Sequence, residues 1–244
     1  MTFLILIASV ISIVFVIQVY LRKVWFYRDP QRTPEATDGA IIAPADGQVI
    51  YIKEVNSDNI VCNKLGQNIP VEEISKSKTQ IGDGFLIGIY MSPLDVHFNY
   101  APISGTIESM KHTQAKKNLP MVDLWEYIRL TFLRRAVDLF GNRYHLENER
   151  NTIFIKGKIN IAMVEIADKF VNKISTYVKE GADVNIGQKL SFIERGSQVD
   201  LFIPKDAKVE VEMGQQVYGA QTVLATYEQS GDEKSEKEKI ASVE

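Results

Sequence analysis

The sequence predicts a mostly β, or α+β, single domain, built as a β-sandwich or barrel-like hybrid with a few flanking helices and preceded by one N-terminal transmembrane helix. Three observations predict this: short apolar runs separated by glycine and proline turns, one longer run with helical spacing, and an apolar N-terminal segment. The chain has 244 residues, of which 45% are hydrophobic and 24% charged. That length allows one domain of about 200 residues plus tails.

The composition excludes several classes of function. A net charge of -3 gives no broad positive field, so nucleic-acid binding is not expected. The single cysteine, Cys62, excludes an intrachain disulfide and a zinc site made of cysteines. The histidines, His97, His112 and His145, lack the spacing of a metal site, and the sequence has no glycine-rich nucleotide-binding motif. We therefore expect neither a metal nor a nucleotide.

The N-terminal segment, residues 1–22, is expected to be an uncleaved membrane anchor. Its apolar run, residues 3–20, is just long enough to cross a bilayer of roughly 30 Å as a helix, and it lacks the charged start and cleavage site of a signal peptide. Basic and aromatic residues crowd its C-terminal side: Arg22, Lys23, Trp25, Phe26, Tyr27, Arg28 and Arg32. By the positive-inside rule, the following domain lies on the cytoplasmic side of the cell membrane.

The domain that follows, residues 23–228, begins with a stiff proline-containing spacer that cannot hold a helix. Alternating and continuous apolar runs then predict short strands from residue 40 onward. They include residues 84–91, 106–110, 152–167, 190–193, 199–203, 208–211 and 222–227. Three further segments are predicted as a polar turn (residues 147–151), a short helix or strand (residues 170–178) and a disordered charged tail (residues 229–244).

Residues 120–140 are predicted to form a helix, because apolar residues recur at helical spacing and Pro120 suits a first helical position. Arg129, Arg134 and Arg135 give this segment a basic character. Two interpretations stay open. The helix packs on the sheet, or it lies at the membrane interface, where these arginines contact anionic lipid.

Three polar residues are candidates for chemistry. A Gly196-Ser197 pair precedes a strand, and glycine permits a strained turn in which the serine oxygen approaches the preceding carbonyl, although such a pair is usually an ordinary β-turn. Asp46 lies in a turn, where an aspartate typically bonds its own backbone. His97 lies among apolar residues, where a histidine is more often a core group, yet it is the best proton carrier in the chain.

Several motifs occur together and in order: FYRDPQRTP, APADGQV, MSPLDVHFNYAPISG, NERN, IGQKLSFIERGSQVDLFIP and GQQVYGAQTVLA. In this combination the chain resembles the phosphatidylserine decarboxylase proenzymes, specifically the short single-domain type of bacteria and archaea, over residues 26–226. Archaetidylserine decarboxylases share the pattern. The resemblance therefore indicates the serine head group better than the lipid tails.

The resemblance implies a proenzyme that cuts itself between Gly196 and Ser197. In the family this serine attacks the preceding carbonyl, and elimination then breaks the chain and leaves a pyruvoyl group in place of the serine. That group is the electron sink for decarboxylation of phosphatidylserine to phosphatidylethanolamine, because no ordinary side chain is adequate. Two fragments, a β chain of residues 1–196 and an α chain of residues 197–244, are expected to stay associated. Homodimers are also common in the family.

The resemblance also assigns roles to residues. Asp46 matches an acid that orients and charges a histidine during self-cleavage, and His97 matches a histidine that transfers protons in decarboxylation. Longer relatives carry a second histidine at the position of Tyr100, so either His97 does both jobs here or the cleavage base differs. Relatives also have a short YHPG-like segment where this chain has KHTQAKKNLP. This departure leaves the contacts on the substrate side open.

Two other functions stay open. The AP-x-DG and AP-x-SG turns and the spacing of Val184, Gly187 and Leu190 are also typical of lipoyl-like or membrane-adaptor β modules, which carry no chemistry. The other alternative is a relative that keeps the fold but does not cut itself. An adaptor would have no need of the serine, the histidine and the aspartate together.

Overall fold

The computed structural model describes residues 2–34, 38–62, 66–78, 82–169, 174–194 and 197–228. Its helices are α1 (Thr2–Tyr20), α2 (Val71–Ser75), α3 (Leu124–Thr131) and α4 (Arg143–Glu147), with a π-helical turn at Leu21–Trp25 after α1. Its strands are β1 (Ala40–Ile42), β2 (Gly47–Val55), β3 (Ile60–Cys62), β4 (Asn68–Pro70), β5 (Gly84–Met91), β6 (Phe98–Tyr100), β7 (Gly105–Thr113), β8 (Arg150–Lys156), β9 (Asn160–Ala167), β10 (Ile174–Thr176), β11 (Asp183–Val184), β12 (Lys189–Ile193), β13 (Ser197–Pro204), β14 (Ala207–Val209), β15 (Gln216–Val217) and β16 (Val223–Tyr227). The predicted class, mostly β with a few helices, is confirmed.

The described strands form one large sheet and two small ones. The large sheet has the order β11-β7-β8-β9-β13-β5-β2-β3-β4, with β15 paired to β2. The small sheets have the orders β1-β16-β14 and β10-β12-β6. The large sheet ends in the edge strands β11 and β4, so it is layered against its neighbours and does not close into a barrel.

The large sheet separates two apolar cores. On one face, Val199 and Leu201 pack in a cluster with Leu190 and Leu224 of the small sheets. On the other face, Phe202 packs in a second cluster with the side chains of α2, α3 and α4. Successive side chains of a strand point to opposite faces, so each strand of the large sheet contributes to both cores. The result is a layer of small sheets, a central sheet and a layer of helices.

Strand β13 lies at the centre of the large sheet. It pairs antiparallel with β5 from Ser197 to Pro204 and with β9 from Ser197 to Phe202. Gly88 of β5 lies opposite Asp200, and a Cβ atom added to Gly88 would lie 2.3 Å from the ring of Tyr51. The tyrosine ring therefore fills the space beside this glycine, which explains why the neighbouring strand has no side chain there.

The N-terminal helix is the expected apolar one. Residues Thr2–Trp25 are long and apolar enough to cross a membrane, and none of this helix is buried against the domain. After the helix, the chain turns onto the domain, where Phe26 is buried. Residues 28–34 form no helix, as their prolines predict.

The prediction of a helix over residues 120–140 is wrong. The helix α3 covers only Leu124–Thr131, and it begins at a capping box in which Asp123 and Glu126 bind each other's backbone N–H groups. It cannot continue far beyond Thr131, because Arg134 has a left-handed backbone with a φ of 49°. The apolar residues Leu139 and Phe140, which completed the helical pattern, are instead buried from an irregular segment.

The prediction of a polar turn at residues 147–151 is also wrong. Strand β8 already begins at Arg150, and the side chains of Asn148, Arg150 and Asn151 are buried. Arg150 donates hydrogen bonds to the carbonyl groups of Ile74 and His145, at 2.7 and 3.0 Å. Polar residues that look like a surface turn are thus used inside the domain, with their hydrogen bonds satisfied.

Two other predicted segments lie partly or wholly outside the described residues. The segment predicted as a short helix or strand at residues 170–178 contains strand β10, while residues 170–173 lie outside the described residues. The predicted disordered tail at residues 229–244 also lies outside them.

Candidate active site

Ser197 is the first residue of β13 and is fully buried. It lies opposite Met91 of β5 and Ala167 of β9, and its Oγ lies 3.1 Å from the sulfur of Met91. Its side chain is on the sheet face that packs against the small sheets, as the alternation with Val199 requires. Gly196, on the other side of the expected cut, lies outside the described residues. The serine thus lies inside the domain, out of contact with solvent.

A turn that is held by hydrogen bonds between Ser92 and Asp95 connects β5 to His97. Ser92 donates to Asp95 Oδ2 from its Oγ at 2.6 Å and from its N–H at 2.9 Å. His97 Nδ1 lies 3.0 Å from the carbonyl oxygen of Asp95, which can only accept, so Nδ1 carries the hydrogen. The Nε2 atom is buried and has no hydrogen-bond partner among the described residues. Burial lowers the pKa of His97 to about 3, so the ring is neutral at physiological pH.

Two connections hold His97 near Ser197. The turn that leads to His97 starts at Met91, which is the strand partner of Ser197. In addition, the carbonyl oxygen of His97 accepts a hydrogen bond of 3.2 Å from the N–H of Ile193, at the end of β12. The chain from Ile193 to Ser197 spans at most about 14 Å. The structure therefore brings these two predicted residues to the same end of the central strand.

The residues that follow helix α1 are attached to the turn that carries His97. The ring centroid of Phe26 lies 4.1 Å from that of His97, at an interplanar angle of 38°. Trp25 Nε1 and Arg28 Nη2 both donate to the carbonyl oxygen of Leu94, at 3.1 and 2.6 Å. The segment that follows α1 thus covers the histidine and holds its turn.

Asp46 pairs with an arginine and not with the histidine that the resemblance implies. Its carboxylate forms a buried ion pair with both guanidinium NH2 groups of Arg32 and accepts the N–H of Gly219 at 2.8 Å. The guanidinium carbon of Arg32 lies 5.5 Å from the ring centroid of Tyr100. Arg32 therefore lies between Asp46 and Tyr100. The resemblance instead implies that Asp46 orients a histidine. Burial raises the pKa of Tyr100 to about 12, so its hydroxyl keeps its proton at neutral pH.

A buried polar cluster, which the sequence did not single out, lies beside Ser197. Glu165 Oε1 accepts hydrogen bonds from Asn99 Nδ2 at 3.0 Å and from Ser191 Oγ, and Glu165 Oε2 accepts one from Asn151 Nδ2 at 2.8 Å. All four side chains are buried. Burial raises the pKa of Glu165, and the three hydrogen bonds oppose this shift. The signal in the sequence is a glutamate inside the apolar run of β9.

A second missed network lies on the opposite face of β13. Asp200 accepts hydrogen bonds from Tyr51 Oη at 2.6 Å and Gln198 Nε2 at 2.7 Å, and its other oxygen lies 2.6 Å from His145 Nε2. Tyr144 Oη donates to Gln198 Oε1 at 2.7 Å. The sequence indicates this network by the polar residues Gln198 and Asp200, which alternate with apolar residues in β13. These groups point away from Ser197, so we interpret them as a structural network between the sheet and the helices.

The three arginines of the basic segment occupy its outer side. Arg134 and Arg135 are exposed and Arg129 is half-buried. Arg134 Nη1 donates to Gln216 Oε1 at 2.8 Å and lies 3.7 Å from Asp95 Oδ1. The segment after α3 therefore contacts the same turn that the residues after α1 contact.

The described residues contain no group of three or more histidine, cysteine, aspartate or glutamate side chains placed to hold a metal ion. The histidines have different surroundings: His112 lies 3.0 Å from Glu149, His145 belongs to the network of Asp200, and His97 is covered by Phe26. Of these, His97 is the one whose backbone is hydrogen-bonded to Ile193, at the end of the strand that leads to Ser197.

The depressed pKa of His97 predicts a pH dependence of stability. In the unfolded chain a histidine titrates near 6.5, whereas in the folded chain His97 stays neutral down to about pH 3. Between pH 7.5 and 5, the free energy of unfolding should therefore fall by about 2 kcal/mol more in the parent than in a His97→Gln variant. The comparison uses urea unfolding of the full chain in detergent, in a Ser197→Ala background that keeps the chain whole. If the free energy of unfolding fell equally with pH in the parent and in the His97→Gln variant, the burial of a neutral histidine would be contradicted.

Comparison with known proteins places this site in a family. The sequence model for phosphatidylserine decarboxylase matches residues 20–225. A protein of Methanocaldococcus jannaschii named "Putative archaetidylserine decarboxylase proenzyme" is 35% identical over 207 residues, which cover 84% of this chain and 89% of the relative. A "Phosphatidylserine decarboxylase proenzyme" of Cytophaga hutchinsonii is 34% identical over 211 residues, or 86% of this chain and 79% of the relative. The extent of these matches confirms the resemblance, and the chain belongs to the phosphatidylserine decarboxylase family.

Proposed function

We propose that this chain cuts itself between Gly196 and Ser197 and then decarboxylates phosphatidylserine to phosphatidylethanolamine with a pyruvoyl group at position 197. The observation that supports this most directly is the burial of Ser197 and a neutral His97 at the same end of the central strand. The substrate comes from the names of the relatives. One of them is named for archaetidylserine, which has the same serine head group, so both lipids belong in the assay.

The residues around position 197 fit a pyruvoyl group. Ser197 is its precursor, and its neighbours Met91 and Ala167 belong to the apolar core. Once formed, the group supplies the electron sink for the pair left behind when CO2 departs. Burial of position 197 would limit the access of water to the group.

His97 is the proposed proton carrier for both reactions. Its Nδ1 hydrogen is held by the carbonyl group of Asp95, so the lone pair of Nε2 is available to accept a proton and later return it. Tyr100 occupies the position of the second histidine of longer relatives, but its raised pKa makes the neutral phenol a poor base. This favours the alternative in which His97 serves self-cleavage as well as decarboxylation. Asp46 then acts through Arg32, as a positioning residue.

The pairing of the strands supports fragments that stay together after the cut. Strand β13 belongs to the α chain of residues 197–244, and it is flanked by β5 and β9 of the β chain of residues 1–196. Strand β16 likewise pairs with β1, and β15 with β2. Separating the fragments would expose the core of the large sheet. A homodimer, which is common in the family, stays a prediction.

Intact-mass analysis of the purified full-length chain tests self-cleavage. We expect two masses, a fragment of residues 1–196 and a fragment of residues 197–244 that is lighter than the serine-starting peptide by the mass of ammonia. A Ser197→Ala variant should give one uncut chain without decarboxylase activity, because it lacks the attacking oxygen. A wild-type chain that stays whole in the membrane would contradict the proposal and leave an adaptor module or an unprocessed relative.

We also propose that the helix Thr2–Trp25 crosses the cell membrane with the domain on the cytoplasmic side. Arg22 and Lys23 follow the apolar run, which agrees with the positive-inside rule. The substrate does not leave the bilayer, so an anchored enzyme meets it at the surface. Attachment of the helix end to the turn of His97 would keep the site at the depth of the lipid head groups.

The segment around α3 is proposed as a second contact with the bilayer. Its apolar side chains Leu124, Trp125, Phe132 and Leu133 are at least half exposed. They are accompanied by Arg129, Arg134 and Arg135, a combination that suits an anionic lipid surface. Through Arg134 and Asp95, the segment is continuous with the turn that binds the membrane helix. The interpretation as an interfacial segment is thus favoured, although the regular helix in it is short.

Fluorescence of Trp125 tests this second contact. The chain has two tryptophans, so Trp25→Phe leaves Trp125 as the single probe. In anionic bilayers with brominated acyl chains we expect quenching of Trp125, which weakens when Arg129, Arg134 and Arg135 are replaced by Gln, because each cation near the surface contributes about 1 kcal/mol. Arg143→Gln, an exposed arginine paired with Glu147, is the matched control and should change little. An unquenched Trp125, with Trp25 quenched in the reciprocal Trp125→Phe variant, would rule out the contact.

A further inference from the structure

Two buried hydrogen-bond acceptors near Ser197 have no partner among the residues that the structure describes. They are Nε2 of His97 and Oδ1 of Asn99, and both side chains are fully buried. An unsatisfied polar atom in a protein interior is costly, so such atoms usually mark a ligand or a bound water. His97 immediately precedes β6 and Asn99 is the middle residue of that strand, so their Cα atoms are at most about 7 Å apart.

The chemical identity of both atoms is set by their neighbours. Asn99 must give its NH2 group to Glu165 Oε1, because that carboxyl group already accepts hydrogen bonds on both oxygens, and the amide oxygen of Asn99 is thereby turned away. Ser191 Oγ accepts the second N–H of the same amide at 3.0 Å. In His97 the hydrogen resides on Nδ1, which leaves Nε2 as a lone pair. The pair therefore offers two acceptors and no donor.

The register of the sheet places these acceptors beside the reacting residue. Glu165 lies opposite Val199, and Ala167 lies opposite Ser197, on the same face of β9 and β13. Glu165 is therefore a diagonal neighbour of Ser197, and such residues are separated by about 7 Å. Asn99 is hydrogen-bonded to Glu165, and His97 is two residues closer to the loop that leads to Ser197. The unpartnered acceptors thus lie close to the position where the substrate amine must react.

Only a donor-rich group can satisfy two acceptors that lie next to a buried carboxyl group. The serine head group of a phospholipid contains an ammonium, a carboxylate and a phosphate, and the two anions would be repelled here. The ammonium carries several N–H donors. We propose that His97 Nε2 and Asn99 Oδ1 form the subsite that binds the head-group amine, with Glu165 as the residue that positions the Asn99 amide. This inference rests on the proposed function.

Binding of short-chain lipids to the processed, full-length protein in detergent tests the subsite. Sodium borohydride first reduces the ketone at position 197 to an alcohol, so that an amine cannot bond to it covalently. Dihexanoyl phosphatidylethanolamine, which has N–H donors, is then compared by titration calorimetry with dihexanoyl phosphatidylcholine, which has none. In the wild type we expect the ethanolamine lipid to bind about tenfold more tightly, since a charged hydrogen bond is worth at least that factor.

Two variants and one control decide the assignment. Asn99→Ala removes the acceptor, and Glu165→Gln introduces an amide that can donate to Asn99 Oδ1, so both should reduce the preference to about twofold or less. Glu165→Gln is the milder change and serves if Asn99→Ala is not processed. Tyr51→Phe removes a buried hydroxyl from the network on the opposite face and should keep the preference while lowering stability.

The outcomes separate this inference from the proposed function. The mass of each sample shows first whether the chain is cut, and an uncut wild type would contradict the proposed function and this inference with it. A processed wild type without a preference for the ethanolamine lipid means that the acceptors bind only water, and the subsite is overturned. A preference that survives in both variants overturns the roles of Asn99 and Glu165, while self-cleavage would stand.

Discussion

The structure depends on one strand, β13, that is hydrogen-bonded on both sides. Its partners β5 and β9 run along it from Ser197, and every residue from Ser197 to Ile203 is buried. A strand in this position cannot leave without opening both cores of the domain. The proposed cut immediately before the strand would therefore leave the residue at its start in place.

The two faces of β13 have different surroundings. Ser197 faces the side of the sheet that also carries Glu165, and on this side Nε2 of His97 and Oδ1 of Asn99 have no hydrogen-bond partner among the described residues. On the opposite face, Gln198 and Asp200 are satisfied by side chains of the helical layer. The alternation of a strand thus separates the side with the proposed reactive residue from the side that binds the helical layer. It also explains why polar residues are tolerated at every second position of a buried strand.

Part of this arrangement could be predicted from the sequence. Strand β5 matches the expected residues 84–91, because a short apolar run between turns has few other interpretations. Motifs in the sequence identify Ser197 and His97, and the fold places both at the same end of β13. The partners of Asp46 could not be predicted, since Arg32 and Gly219 are distant in sequence.

The remaining errors have a common physical cause. A pattern of polarity reports how residues interact with water, but it does not report partners that come from far along the chain. Arg150 looks like part of a surface turn, yet its guanidinium is satisfied by carbonyl groups inside the domain. Leu139 and Phe140 fit a helical period, yet they are buried by packing on the sheet after α3 has ended. The sequence does not mark Glu165 for the same reason, because its three partners belong to three other strands.

The central claim is that β13 stays in the sheet after the cut, and hydrogen–deuterium exchange tests it most directly. Peptides covering residues 197–204 would be followed in the processed wild type and in the uncut Ser197→Ala chain, with peptides of β5 and β9 as internal references. The account predicts slow exchange in both forms, comparable with that of β5 and β9. Fast exchange of residues 197–204 in the processed protein, with β5 and β9 still protected, would contradict it.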